Sequence, residues 1–349
     1  MPADERFAEF RAALRKNNDS AHTDNPTNDD DDDPRKPWPE SLVLGSCTSL
    51  ELNALQIIPR KPVIADWCLV GDLGFIFAPR GLGKTWLTLH LAHGIATGAM
   101  VGPWPIPREH KVLYLDGEMP PQDIQLRDRE LGAPTTNLIY INHQLLFDRT
   151  SRIMNLGSFE FQAALLDHCV HEKIDVLCLD NLSCLASGID ENIAIDWEKL
   201  QSWLLKLRRL EITVIFIHHA GTNASRMRGT SKREDPAAWI LRLDPPAEFN
   251  ENAGAHFVTR FVKWRSQKQP QSLEWAYEPN GRELVVNVKD ASPLVTLRTH
   301  IENGLDTCTM IAEEMGVTNG YVSQLAKHAM CEGWLRKNGR KYEISDDPF

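Results

Sequence analysis

The feature that most constrains the fold is the stretch at residues 74–86, GFIFAPRGLGKTW, where an apolar run enters a glycine-rich turn. Ala78 is followed, after four residues, by Gly83–Thr85, which is the spacing of a phosphate-binding loop with Ala replacing the usual first Gly. The run at residues 73–77 predicts a strand, and the apolar stripe that follows Trp86 predicts a helix. Backbone amides of such a turn and the N terminus of such a helix bind phosphate groups. The sequence therefore predicts a nucleotide site, the alternative being a glycine-rich turn without a ligand.

The loop also predicts the cofactors. Lys84 is expected to reach the β- and γ-phosphates of ATP, and Thr85 is expected to bind Mg²⁺. The residues predicted to bind ATP are Ala78, Pro79, Arg80, Gly81, Leu82, Gly83, Lys84, Thr85 and Trp86.

Composition sets further limits on the chain. Its 349 residues allow one large domain and a smaller one. The formal net charge is -10, but much of the acid lies at residues 29–33, so the total does not exclude nucleic-acid binding. The seven cysteines are scattered without a C-x-x-C pair, which favours reduced thiols in a cytoplasm and suggests no zinc site. No signal region is apparent at the N terminus and no apolar run approaches the roughly 20 residues of a membrane span, so we expect no membrane contact.

The chain divides into four predicted segments. Residues 1–36 are expected to form a disordered acidic tail, whose charge either mimics nucleic acid or only solvates a linker. Residues 37–66 are a lead-in predicted to pack on the main domain. Residues 67–288 alternate strands and helices, and residues 289–349 change to a helix-rich pattern. The predicted fold class is α/β with a mainly parallel sheet, followed by a C-terminal winged helix-turn-helix domain.

The strands of the main domain end in residues that carry chemistry. After the phosphate loop, predicted strands occupy residues 111–118, 137–141, 174–180 and 212–219, separated by helices at 122–131, 160–172 and 196–210. Residues 257–263 and 272–288 read as antiparallel strands that close the sheet. Ligands of open α/β sheets bind at the carboxyl ends of the strands, where this chain places acids and histidines. We therefore expect one shared site.

Three strand ends have candidate roles in ATP hydrolysis. Asp180 ends an apolar run and is predicted to hold the Mg²⁺ shell. Glu118 is predicted to orient the attacking water, the alternative being an acidic N-cap of the following helix. His218 and His219 end another strand, where an imidazole could contact the γ-phosphate or simply be buried.

Two further groups of basic residues are candidates for contacts beyond the nucleotide. A long polar loop carries Arg226, Arg228, Lys232 and Arg233, which would follow a phosphate backbone in the channel of a ring or remain solvated. Lys263 and Arg265 end a late strand and could reach the γ-phosphate of a neighbouring subunit.

The C-terminal segment predicts three helices, at residues 294–302, 308–315 and 319–332, and a hairpin that turns at Asn338–Gly339. This order is typical of a winged helix, which binds duplex DNA or a protein partner. The basic residues predicted to contact nucleic acid there are Lys327, Arg336, Lys337, Arg340 and Lys341.

Taken in order, the phosphate loop, Glu118, Asp180-Asn-Leu, the His-His pair and the Arg-Gly-Thr-Ser run at 228–231 resemble the RepA-type ATPases of the RecA fold. These include hexameric replicative helicases of plasmids, phages and mobile elements, and the resemblance covers about residues 55–288. It implies a homo-hexamer with ATP at subunit interfaces and single-stranded DNA in the channel. It also implies roles for the matching residues: Glu118 as catalytic glutamate, Arg127 as phosphate or interface sensor, His219 as γ-phosphate sensor and Arg265 as a finger supplied in trans.

The chain departs from that pattern in two places. Thr222 stands where many relatives have Lys, and the C-terminal module is not part of the compact plasmid helicase. The favoured function is an ATP-driven DNA motor, in particular a helicase. The alternatives are an ATP-dependent regulator of DNA binding and an assembly scaffold that barely hydrolyses ATP; intact Lys84, Glu118, Asp180 and Arg265 argue against the scaffold.

Overall fold

The computed structural model describes residues 38–186, 194–220, 227, 234–246, 254–265, 270–280 and 283–345. The predicted acidic tail at residues 1–36 and the basic loop residues Arg226, Arg228, Lys232 and Arg233 lie outside the described residues. The chain divides into one unit that ends at Lys61 and a second unit that begins at Pro62. No helix within the described residues has the length and apolar character needed to cross a bilayer.

The first unit contains two short helices, α1 (Trp38–Gly45) and α2 (Ser49–Ala54). A capping box begins α2: the Thr48 hydroxyl accepts a hydrogen bond from the Glu51 backbone amide, and the Glu51 carboxylate accepts one from the Thr48 backbone amide.

The second unit is built on one large sheet. Within the described residues it has nine strands: β3 (Leu73–Ala78), β4 (Val112–Asp116), β5 (Leu138–Asn142), β6 (Val176–Asp180), β7 (Thr213–His219), β8 (Trp239–Asp244), β9 (Ala255–Lys263), β10 (Leu273–Asn280) and β11 (Glu283–Asp290). Their order is β11-β10-β9-β8-β3-β7-β6-β4-β5. Strands from β8 to β5 pair in parallel, and β9, β10 and β11 extend the sheet in antiparallel fashion. The predicted α/β fold with a mostly parallel sheet is confirmed.

Helices connect the parallel strands. They are α3 (Lys84–Thr97), α4 (Pro121–Leu131), α5 (His143–Thr150), α6 (Phe159–His171), α7 (Leu182–Leu185) and α8 (Ala194–Arg209). Every residue of β3, β4 and β6 is buried, as expected for central parallel strands with both faces covered. This burial explains why their sequences are continuous apolar runs.

The second unit begins before β3, at Pro62. A small antiparallel pair, β1 (Pro62–Ile64) and β2 (Cys68–Leu69), precedes β3. Val63 and Ile64 are fully buried in the same core as Trp67. Apolar side chains at the end of the predicted lead-in are therefore part of this core, because their burial is favourable.

A C-terminal subdomain, Pro293–Ile344, follows the sheet. It consists of α9 (Pro293–Glu302), α10 (Cys308–Met315), α11 (Asn319–Cys331) and the antiparallel hairpin β12 (Leu335–Asn338) and β13 (Lys341–Ile344). Ser292, Thr307 and Thr318 cap the three helices through their hydroxyl groups. The subdomain has an apolar core of its own, which is distinct from the core of the large sheet. Leu297, Val322 and Tyr342 belong to it.

Candidate nucleotide-binding and hydrolysis site

The strand order brings four predicted strand ends to one edge of the sheet. β7 lies between β3 and β6, and β4 is next to β6. In register, Ala78 is opposite His219, and Asp116 is opposite Asp180. A cleft of about 430 Å³ opens there and is lined by Arg80, Gly81, Gly83, Lys84, Thr85, Trp86, Asp116, Glu118, Met119, Pro120, Arg127, Asp180, Asn181, His219 and Gly254.

The phosphate loop depends on glycine at two positions. Gly81 and Gly83 have φ values of 77° and 102°, which favour glycine over other residues. A Cβ on Gly83 would lie 2.7 Å from the Cβ of Ala255 and 2.9 Å from Cε1 of Phe257. Position 83 therefore excludes a side chain for both conformational and steric reasons.

Three of the nine predicted loop residues do not line the cleft. Ala78 and Leu82 are buried and belong to the apolar core, and Pro79 is also absent from the cleft lining. The backbone carbonyls of Ala78 and Pro79 instead accept hydrogen bonds from Lys84 Nζ, at 3.1 and 2.7 Å. Ala78 ends β3 and Leu82 packs in the core, so a nucleotide contact at these positions would be made by the backbone. That Ala78, Pro79 and Leu82 bind ATP stays a prediction.

Lys84 is held inside the curve of the loop. It is only 7% exposed, and burial lowers its pKa to about 8, although the negative charges of Asp180 and Glu118 act in the opposite direction. A phosphate group bound at the loop would supply the negative charge that stabilises this buried ammonium group.

Asp180 and Thr85 are adjacent, as predicted for a magnesium site. The Asp180 carboxylate is 3% exposed, accepts a hydrogen bond from Tyr114 Oη at 2.7 Å and is hydrogen bonded to the Thr85 side chain. Burial raises the pKa of Asp180. A hydroxyl and a carboxylate fit Mg²⁺, which takes few protein oxygens and completes its shell with water and phosphate. Among the described residues, no group of three or more His, Cys, Asp or Glu side chains forms a metal site.

Asp116 is a cleft residue that sequence reasoning missed. Its carboxylate is 1% exposed and accepts hydrogen bonds from the Met119 backbone amide at 3.0 Å and from Asn142 Nδ2 at 2.7 Å. Burial, followed by the nearby Asp180 charge, raises the pKa of Asp116 to about 7. Asp116 ends β4 as Asp180 ends β6, and this shared position at a strand end is the sequence signal that could have identified Asp116.

Glu118 lies at the mouth of the cleft and accepts a hydrogen bond from Asn181 Nδ2. The N-cap of α4 is Pro120, without a side-chain cap, so the alternative that Glu118 caps this helix is wrong. Asn181 Nδ2 also lies 3.3 Å from His219 Nε2.

Only one of the two histidines reaches the cleft. His219 is partly exposed and lines it, whereas His218 is fully buried. Successive side chains of a strand point to opposite faces, which explains the difference. The predicted phosphate contact therefore applies to His219, and the buried alternative applies to His218.

Arg127 is at the cleft, as the resemblance implied. Its guanidinium lies 4.9 Å from the ring centroid of Trp86, and Nη1 lies 3.4 Å from Met119 Sδ. Trp86 in turn stacks on Tyr277 at 6.1 Å between ring centroids.

Lys263 and Arg265 do not reach the cleft of their own chain. Lys263 pairs with Ile240 near the start of β8, which lies at the edge of the sheet opposite the phosphate loop. Lys263 Nζ donates to the backbone carbonyls of Glu234 and Asp235, and Arg265 Nη2 donates to that of Asp235 at 3.2 Å. The two cations are close to each other but distant from Lys84 and Asp180 of the same chain.

The cations of the C-terminal subdomain lie on its surface. Arg336 pairs with Glu343 at 3.0 Å, and Lys341 pairs with Asp306 at 2.6 Å. Lys337 lies 5.7 Å from the ring centroid of Tyr342, and Lys327 and Arg340 are exposed. Residues 291–345 hold six basic side chains, Arg298, Lys327, Arg336, Lys337, Arg340 and Lys341, and six acidic ones, Glu302, Asp306, Glu313, Glu314, Glu332 and Glu343.

Comparison with known proteins identifies the family of the chain. A protein-family model described as an AAA domain matches residues 39–225. No curated protein matches the chain. Among solved structures, the flagellar accessory protein FlaH from Methanocaldococcus jannaschii matches at 15% sequence identity, covering 69% of this chain and 96% of that chain, with a TM-score of 0.44. Since the matched segment spans more than half of the chain and contains the phosphate loop, Glu118 and Asp180, the chain belongs to the AAA domain family and is a P-loop ATPase.

Proposed function

We propose that this ATPase is a DNA-coupled motor resembling the RepA-type replicative helicases of plasmids, phages or mobile elements. The observation that carries the proposal is the convergence of Lys84, Asp180, Glu118 and His219 in one cleft at the carboxyl ends of four adjacent parallel strands. Hydrolysis of ATP needs a bound γ-phosphate, an oriented water molecule and positive charge near the transferred group. Each requirement has a candidate side chain in this arrangement.

The roles follow from geometry and charge. The carbonyls of Ala78 and Pro79 hold the Lys84 ammonium in the loop, where it would neutralise the β- and γ-phosphates, and backbone amides of the loop would donate to them. Thr85 and Asp180 would hold Mg²⁺, which when bound neutralises charge that develops on the phosphates. The Glu118 carboxylate at the cleft mouth would orient the attacking water and accept its proton. His219 would contact the γ-phosphate.

The position of Lys263 and Arg265 supports a ring with a shared site. Lys263 ends β9 at the sheet edge away from the cleft, and Arg265 follows two residues later, so they can serve hydrolysis only in the cleft of another copy. We propose that Arg265, assisted by Lys263, is the finger supplied in trans within a homo-hexamer. Single-stranded DNA would pass through the channel of that ring, contacted by the basic loop around Arg228.

The C-terminal subdomain supports a second candidate, an ATP-dependent regulator without unwinding activity. The subdomain has its own core and the helix and hairpin order expected of a winged helix, a module that binds duplex DNA or a protein. Its equal numbers of basic and acidic side chains, and the ion pairs of Arg336 and Lys341, weaken the electrostatic case for duplex DNA.

The deciding experiment is the steady-state ATPase rate of the wild type and of Glu118→Gln, with and without single-stranded DNA. The matched control is Glu160→Gln, which removes an exposed carboxylate paired with Arg152 outside the cleft. We expect the strand to stimulate the wild type and the control, and turnover to be lost in Glu118→Gln. A strand-displacement assay that depends on hydrolysis then separates a helicase from a regulator. Turnover that is indifferent to single strands would favour the regulator, and wild-type turnover by Glu118→Gln would contradict the role of Glu118.

A further inference from the structure

Asn181 connects two groups of the cleft that are distant in sequence. It follows β6 directly, is 1% exposed and is the N-cap of α7. Its Oδ1 accepts a hydrogen bond from the Cys184 backbone amide at 3.1 Å. Its Nδ2 faces both Glu118 Oε2 and His219 Nε2.

The cap determines the orientation of the Asn181 amide. A backbone N–H can only donate, so the atom facing Cys184 must be the amide oxygen. The NH₂ group therefore faces the cleft, and its two hydrogens serve two acceptors, the Glu118 carboxylate and His219 Nε2. Because Nε2 accepts here, neutral His219 carries its proton on Nδ1.

Burial makes these contacts energetically important for Asn181. A buried amide that loses its acceptors pays the desolvation cost of the unpaired group, so the favoured state keeps both donors engaged. Glu118, by contrast, is exposed and would otherwise sample several rotamers. The contact with Asn181 restricts the Glu118 carboxylate to one orientation at the cleft mouth.

We propose that Asn181 is a positioning residue for ATP hydrolysis, which holds the Glu118 carboxylate in place and couples its orientation to the state of His219. The inference rests on the proposed function, because it assumes that Glu118 orients the attacking water. Nε2 of His219 cannot accept from Asn181 and donate to a phosphate oxygen at the same time. A change in the partner of Nε2 therefore frees one Asn181 donor and alters the restraint on Glu118.

The test separates two roles of the Asn181 side chain, its NH₂ donor and the oxygen that caps α7. Asn181→Ser keeps a side-chain oxygen that can cap α7, since Ser is a good N-cap, but removes the NH₂ group. We expect kcat for ATP to fall about 10- to 100-fold, the range seen when a supporting partner of a catalytic group is lost, with KM changed less than about threefold. Asn181→Asp, which also keeps the cap but faces Glu118 with a negative oxygen, is expected to lose at least as much kcat.

The matched control is Asn137→Ser. Asn137 Nδ2 also donates to a glutamate, Glu109 Oε2 at 3.0 Å, but outside the nucleotide cleft. This variant should keep wild-type kcat and KM. Thermal unfolding of all variants identifies any that fail to fold.

The coupling between Asn181 and His219 is measured with the variant His219→Ala. If Asn181 and His219 act on Glu118 together, the double variant His219→Ala with Asn181→Ser loses less kcat than the product of the two single losses. Wild-type kcat in folded Asn181→Ser and Asn181→Asp would overturn the inference, as would fully multiplicative losses. If Glu118→Gln itself turns over ATP at the wild-type rate, the proposed role of Glu118 fails instead, so the two failures are distinguishable.

Discussion

The nucleotide cleft and the C-terminal subdomain differ in how far their charged side chains are buried. In the cleft, Lys84, Asp116 and Asp180 are nearly inaccessible to solvent, and their pKa values are displaced by burial. In the subdomain, the side chain of Lys341 is 64% exposed and is satisfied by Asp306, which raises its pKa. Burying charge costs stability and is found where function requires it, whereas surface ion pairs are common and contribute little. The buried charges of the cleft are therefore stronger candidates for chemical roles than the exposed charges of the subdomain.

The largest expected effect contrasts one lysine from each region. Lys84→Ala removes the buried ammonium that we propose faces the phosphates, so we expect ATP turnover to fall by about 100-fold or more. Lys341→Ala removes a surface ion pair and should leave turnover unchanged. Steady-state ATPase rates of both variants check the contrast, and near-normal turnover by Lys84→Ala would defeat the assignment of the phosphate loop.

A second prediction tests whether the two regions have independent cores. Leu297 is fully buried in the cluster of the C-terminal subdomain, so Leu297→Ala should destabilise that subdomain by about 2–5 kcal/mol. ATP turnover should persist, because the cleft belongs to the other cluster. Hydrogen exchange resolved by segment measures the effect, with Leu87→Ala in the core of the sheet as the reciprocal control. Equal loss of protection in both regions would show that the cores are not independent.

A smaller effect is expected from the hairpin cations. Arg336 is paired with Glu343, whereas Arg340 forms no ion pair among the described residues. If the subdomain binds duplex DNA, Arg340→Ala should weaken binding and reduce the salt slope by about 1, as expected when one phosphate contact is lost. Arg336→Ala should weaken binding less. Fluorescence anisotropy over a salt series provides the measurement, and absence of duplex binding by the wild type would favour a protein partner.

The smallest expected effect is a proton taken up by the cleft. Burial lowers the pKa of Lys84 to about 8, and the negative phosphates of a bound nucleotide favour its ammonium form. Nucleotide binding at pH 8 should therefore take up a fraction of a proton per site. Calorimetry in buffers of different ionisation enthalpy measures the uptake. Lys84→Arg is the control, because arginine stays charged, and an equal uptake by this variant would assign the proton to another group.

Much of the fold was predictable because the parallel strands are short apolar runs that end in polar residues. Predicted and observed ends of β3, β4, β5, β6 and β7 differ by at most two residues. The strand β8 was missed, because Trp239–Asp244 contains Arg242 and follows a long polar loop, so no continuous apolar run marks it.

The candidate site was predictable where chemistry depends on local spacing, as in the phosphate loop and at Asp180. The roles of Asp116 and Asn181 depend on which strands become neighbours. The register between β4 and β6 cannot be predicted from the sequence of either segment alone. The choice between His218 and His219 was available in principle, since alternation along β7 allows only one of them to face the cleft.

The close fit of Gly83 against β9 joins the phosphate loop to a strand that runs across the sheet from one edge to the other. The loop contacts the first residues of β9, Ala255 and Phe257, and Lys263 ends the same strand about 26 Å away at 3.3 Å per residue. Hydrogen bonds to β8 and β10 on either side stiffen β9 along part of its length. The phosphate loop and the Lys263–Arg265 pair, which lie at opposite edges of the sheet, are therefore connected through a single strand.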